Sequence, residues 1–159
     1  MYLKFTPNIR IHDAEAVAKI FRAVLETEDE VDQQKEHLWS IGLTGRKKVV
    51  YLELISLGTL TETSVHPREV FKSAVLKSVY NLIICHNHPG EEPRPSKGDK
   101  DVTDGLQAAG EIMGIEILDH IILGDSSIYS FAKEKTLRSF TKRNSDLLPV
   151  PYDDEEVIL

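Results

Sequence analysis

Two histidines, an aspartate and a serine near the middle of the chain have the types and spacing of a metal centre. His86-Asn87-His88 is followed by ten residues and then Asp99, with Ser96 three positions before the aspartate. The apolar run Leu82-Ile83-Ile84-Cys85 just upstream has the character of a buried strand. Residues i and i+2 of a strand project to the same side, so both imidazoles converge on one point at the strand end. Asp99 returns from the following element as a third ligand. A His/His/carboxylate set leaves a tetrahedral Zn²⁺ one open position for water, which separates a catalytic zinc from a closed structural one. The pattern reads as a hydrolytic metalloenzyme.

The elements that must carry these residues follow from periodicity. Asp13 suits an N-cap, and Ala14, Val17, Ile20, Phe21, Val24 and Leu25 have helical spacing. The acidic run Glu26 to Asp32 reads as a solvated helix end or loop. Leu38 to Leu43 and Val49 to Leu57 flank Thr44-Gly45-Arg46-Lys47 and predict a β-hairpin. Gly58 and the polar run Thr59 to Ser64 predict a loop. His66-Pro67 opens a second helix, with Val70, Phe71, Ala74, Val75 and Ser78 expected on one side. Pro89 to Pro95 is a stiff irregular loop. Ser96 starts a third helix with the stripe Val102, Leu106, Ala109 and Met113, stopped by Gly114. Strands over Glu116 to Leu123 and Ile128 to Phe131 flank the turn Gly124-Asp125-Ser126-Ser127. This order is that of an α/β fold, a mixed β-sheet flanked by helices.

Composition narrows the function classes. A chain of 159 residues with 41% hydrophobic and 28% charged residues is long enough for one domain with a proper core. No apolar run approaches the ~20 residues that span a bilayer, and the first residues lack the features of a secretory signal. The single cysteine, Cys85, has no internal disulfide partner, which fits a reducing cytoplasm. A formal net charge of −7 argues against nucleic acid as the main partner, despite the local basic stretches Arg46-Lys47-Lys48 and Lys133 to Arg143.

His86-Asn87-His88-Pro89, Pro95-Ser96 and Asp99 together resemble the JAMM metalloprotease signature. More narrowly, the chain resembles the RadC-like branch of that superfamily. This likeness rests on Glu36-His37-Leu38-Trp39, Ser56-Leu57-Gly58-Thr59-Leu60 and Val65-His66-Pro67-Arg68-Glu69-Val70. It rests also on Leu118-Asp119-His120 with Ile121-Ile122-Leu123-Gly124-Asp125. The resemblance covers roughly Phe5 to Phe131 and implies a single JAMM/MPN-like (cytidine deaminase-like) domain, placed at residues 1–143. After Arg143 the sequence loses periodicity and gains acid and proline, which predicts a flexible acidic tail, 144–159. It implies one Zn²⁺ on His86, His88 and Asp99, with Glu36 as general base and Ser96 as donor to the oxyanion. The implied reaction is hydrolysis of a peptide or isopeptide amide in a peptide or protein substrate, ubiquitin-like proteins included. Longer RadC-like proteins carry an N-terminal helix-hairpin-helix region; none is expected here, and a DNA role attached to that region is not carried over. Gly90 departs from the branch, which commonly has serine there.

Each residue also has a structural reading. Ser96 and Asp99 could form a capping box at a helix start. Glu53, Glu69, Glu91 and Glu92 rival Glu36 by residue type or proximity. Cys85 should face away from the ligands on its strand, and His66 and His120 suit structural hydrogen bonding. His12 and His37 carry no argument. The letters of His86-Asn87-His88 also spell a nuclease motif whose residues lie far apart in sequence, so that match is accidental. Two other function classes stand beside the hydrolase: a DNA-repair or nucleic-acid-associated factor, and a catalytically silent JAMM-type scaffold.

Overall fold

The computed structural model describes residues 9–58 and 65–139. Its elements are α1 (Ala14–Leu25), α2 (Glu30–Gln33), β1 (His37–Leu43), β2 (Val49–Leu57), α3 (Pro67–Leu76), β3 (Asn81–Asn87), α4 (Lys97–Met113), β4 (Glu116–Leu123) and β5 (Ile128–Ser130). The strands form one sheet in the order β2-β1-β3-β4-β5. Only β3 and β4 run parallel, joined through α4, and the other neighbours are antiparallel. Such a crossover needs a helix-length connection.

Strand alternation divides the core into two layers. On one face, Val17, Phe21 and Val24 of α1 pack on Trp39, Ile41, Ile83, Cys85 and Ile121. Phe21 and Trp39 stack with ring centroids 5.0 Å apart. On the other face, Val70 and Phe71 of α3 and Val102 and Leu106 of α4 cover Leu38, Leu82, Ile84 and Ile117. Burying each such side chain contributes ~1.5–3 kcal/mol.

The boundaries follow the expected caps. Asp13 Oδ1 accepts from the Ala16 N–H at 2.7 Å, and the hairpin turn is held by Thr44 Oγ1, which accepts from Lys48 N–H at 3.1 Å. His66 Nδ1 caps α3 by accepting from Arg68 N–H at 3.2 Å. Gly114 ends α4 at φ 69°, in the left-handed region.

Three local expectations need correction. Val75 is 57% exposed, because it lies one residue past Ala74 and so about 100° round the helix from the buried stripe; Ser73 takes the place assigned to it. Ser78 falls beyond α3 and has φ 50°. Met113 is 42% exposed in the last turn of α4. Gly110 faces the core there instead, and a Cβ on it would lie 2.4 Å from the Ile115 carbonyl oxygen. The acidic run also contains the start of α2, capped by Asp29. The expected loop over residues 59–64 and the acidic tail over 144–159 lie outside the described residues. Among the described residues, no helix is long and apolar enough to cross a membrane.

Candidate metal centre

β3 ends at the site. Leu82 and Ile84 point to the α3/α4 layer and Ile83 and Cys85 to the α1 layer, so alternation places His86 on the α4 side. The first turn of α4 brings Asp99 to it, and His88 follows just beyond the strand. His86, His88 and Asp99 are all buried, and their donor atoms lie within 4.8 Å of one another. His86 Nε2 is 3.0 Å from His88 Nε2 and 3.2 Å from Asp99 Oδ1. His88 Nε2 is 3.4 Å from Asp99 Oδ2. Ligands bound ~2.0–2.2 Å from a tetrahedral zinc sit roughly 3.3 Å apart, so the three side chains fit one face of such a coordination sphere. The donor set, two imidazoles and a carboxylate, suits zinc chemically.

The electrostatics match a cation site. Burial works against ionisation of Asp99, yet the His86 and His88 imidazoles beside it and the Ser96 N–H hold its carboxyl well below the usual carboxylate range. His88 is raised, chiefly by its hydrogen bond with Asp99 against the opposing effect of burial. His120 is lowered, first by burial and then by His86.

Neighbouring groups orient both imidazoles. The His88 backbone N–H donates to the Leu123 carbonyl at 2.8 Å, and its ring Nδ1 lies 3.3 Å from the Glu92 carbonyl oxygen. The 89–95 loop that supplies Glu92 turns at Gly90, whose φ of 70° favours glycine. That departure from the branch pattern is therefore accommodated by the backbone. His86 Nδ1 meets His120 Nε2 at 2.7 Å, and His120 Nδ1 meets Thr103 Oγ1 at 2.6 Å. A bulge in β4 makes this possible. Leu82 pairs with Ile117 but Ile83 pairs with Asp119, so the extra residue Leu118 shifts the phase and turns His120 onto the metal side.

Glu36 immediately precedes β1 and is half-buried. Its charge acts on His88, and its carbonyl accepts from Gly58 N–H at 2.8 Å. Asn87, between the two ligand histidines, grips the backbone on both sides of Glu36. Its Oδ1 accepts from the His37 N–H at 2.6 Å and its Nδ2 donates to the Lys35 carbonyl at 3.0 Å. Ser96 and Asp99 form the capping box: Ser96 Oγ accepts from Asp99 N–H at 3.1 Å, and Asp99 Oδ2 accepts from Ser96 N–H at 2.7 Å. The two roles weighed for Ser96 use different parts of its hydroxyl. The cap takes a lone pair, and the hydrogen stays available to donate.

The model of the RadC-like JAB domain matches residues 11–137. The chain belongs to the RadC-like JAB domain family. Relatives of the RadC-like domain include a UPF0758 protein of Chlorobium chlorochromatii, 44% identical over 67% of this chain and 48% of its own length. Another from Desulforudis audaxviator is 47% identical over 63% of this chain and 44% of its own. A third from Pelodictyon phaeoclathratiforme is 38% identical over 84% of this chain and 62% of its own. The chain thus spans about half the length of the curated relatives it matches.

The remaining residues of this JAB domain sort clearly. Cys85 is fully buried in the α1 layer, where burial pushes its thiol up, so it faces away from the ligands as strand alternation requires. His66 is a helix cap. His120 does make structural hydrogen bonds, but one of them is to a ligand, which its sequence position did not disclose. Glu69 pairs with Arg68 at the surface, and Glu91 and Glu92 are exposed. Asn87 and Thr103 carried no sequence signal of their own. Asn87 stands out only by lying between two ligands on the opposite phase of a strand.

Proposed function

We propose that this domain is a zinc-dependent hydrolase that cleaves a peptide or isopeptide amide. The observation that carries the reading is the buried triangle of His86, His88 and Asp99, with Asn87 between the two histidines holding the peptide groups that flank Glu36 and Ser96 at the start of the helix that carries Asp99. The membership of the JAB family supports it. Zinc, when bound, supplies a Lewis acid and a water that ionises near neutral pH.

The protein's own groups do the rest. Glu36 accepts the proton of the attacking water and delivers it to the leaving amine, which needs a carboxylate free of the ligand set. Asn87 holds the peptide groups flanking Glu36 and so sets where its carboxylate begins. Ser96 donates its hydroxyl hydrogen to the developing oxyanion, a contact whose loss typically costs ~2.7–4 kcal/mol of barrier. The substrate is a peptide or protein, ubiquitin-like conjugates included. Cleavage profiling against peptide and isopeptide-linked substrates, with and without added zinc, tests the reading. Zinc-dependent cleavage lost in Glu36→Gln supports it, and cleavage insensitive to both would sink it.

A further inference from the structure

The two ligand imidazoles are held in different ways. His88 Nδ1 faces a carbonyl oxygen, which can only accept, so that nitrogen carries the hydrogen and Nε2 is free to bind a metal. His86 Nδ1 instead faces another imidazole, His120, and that contact alone leaves its tautomer open. The next two hydrogen bonds close the question.

Thr103 Oγ1 lies 2.6 Å from the Asp99 carbonyl oxygen, one turn back in α4. A carbonyl cannot donate, so the single hydroxyl hydrogen of Thr103 goes to it. The same oxygen is 2.6 Å from His120 Nδ1 and has only lone pairs left to offer. His120 Nδ1 therefore carries hydrogen, and Nε2 of the neutral ring is an acceptor. His86 Nδ1 must donate to it, which leaves the His86 Nε2 lone pair aimed at His88 and Asp99. A second hydrogen on His120 would force the opposite tautomer on His86 and remove it as a ligand. Phe131 stacks on the His120 ring, with centroids 5.0 Å apart and planes 8° apart, and so fixes the ring plane.

We propose that Thr103 and His120 are positioning residues that lock His86 in its metal-binding tautomer, through a hydrogen-bond chain running from the Asp99 backbone to the His86 ring. The inference rests on the zinc reading of the site. It joins two ligands from different elements through groups that touch no metal, so orientation of His86 and placement of α4 are set together. Outer groups of this kind typically carry a 10- to 100-fold effect on metal affinity.

The test is zinc affinity by chelator competition on the full chain, with ¹⁵N NMR of the histidine rings in the zinc-free protein. Thr103→Val should bind zinc about 10- to 100-fold more weakly while His86 loses its single Nδ1–H signature, and Thr103→Ser should restore both. His120→Gln offers an acceptor to His86 and a donor to Thr103, so it should stay much closer to the parent than His120→Leu; this pair decides the matter if Thr103→Val does not fold. Folded variants with parental zinc affinity and an unchanged His86 tautomer would overturn the chain while leaving the metal site standing. A parent protein that binds no zinc would overturn the metal reading, and the chain with it.

Discussion

Asn87 and His37 are joined by a 2.6 Å hydrogen bond from the His37 N–H to the Asn87 side-chain oxygen, while the other end of the same amide donates to Lys35. The ligand-bearing strand thereby holds the residue on either side of Glu36. Asn87→Ala takes the side-chain acceptor from the buried His37 N–H, while the Lys35 carbonyl keeps its 2.9 Å contact with His37 Nδ1, so stability should fall by ~1–3 kcal/mol in denaturant titration. Turnover should fall further than zinc affinity does, because Glu36 is displaced while the ligands remain. Equal losses of both would assign Asn87 to the ligand strand alone.

Glu36→Gln keeps the shape of the side chain but cannot accept a proton. Turnover should drop ~10²–10⁴-fold with zinc affinity unchanged. The same substitution at Glu53, Glu91 or Glu92 should change little. A collapse at one of these with normal turnover in Glu36→Gln would move the base.

Ser96→Gly separates cap from catalyst. Glycine is a tolerable N-cap, so stability should change by only about a few tenths of a kcal/mol. The hydroxyl hydrogen is lost, and turnover should fall ~10²–10³-fold. If turnover survives in the folded variant, Ser96 serves the helix only.

Zinc binding should weaken on acidification. His88 is raised above the ordinary histidine value, first by its hydrogen bond with Asp99, and a metal must displace that proton. Apparent affinity should be flat above this raised pKa and fall by up to ~10-fold per pH unit below it. In the zinc-free protein the signs are opposite: charged His88 adds stability at low pH that is lost as pH rises through its folded pKa. Ionised Asp99 adds stability above its unfolded pKa that is lost as pH falls through its folded one. The gain in melting temperature on adding zinc should therefore shrink as pH falls. A gain independent of pH would remove His88 from the ligand set.

Much of this was legible in the sequence where chemistry and periodicity coincide. The spacing of His86, His88 and Asp99 implies one site because strand alternation and a helix start leave few other arrangements, and the caps at Asp13, Ser96 and Gly114 fall where residue type puts them. The hydrogen-bonding role of His120 was legible but its contact with a ligand was not, because its direction depends on the bulge at Leu118, and a one-residue change of phase leaves no mark in hydrophobic patterning. Asn87 was hidden for another reason: its partners are backbone groups some fifty residues away, and any residue supplies those. Val75 and Met113 were misplaced because apolar type near a helix end does not decide which face meets the core.

The most direct test is the metal content of the purified protein beside that of His88→Ala, measured by plasma mass spectrometry with circular dichroism to check the fold. The parent should hold about one zinc per chain, and the folded variant should lose most of it. Full zinc occupancy in folded His88→Ala, or a parent devoid of zinc after supplementation, would contradict the metal centre.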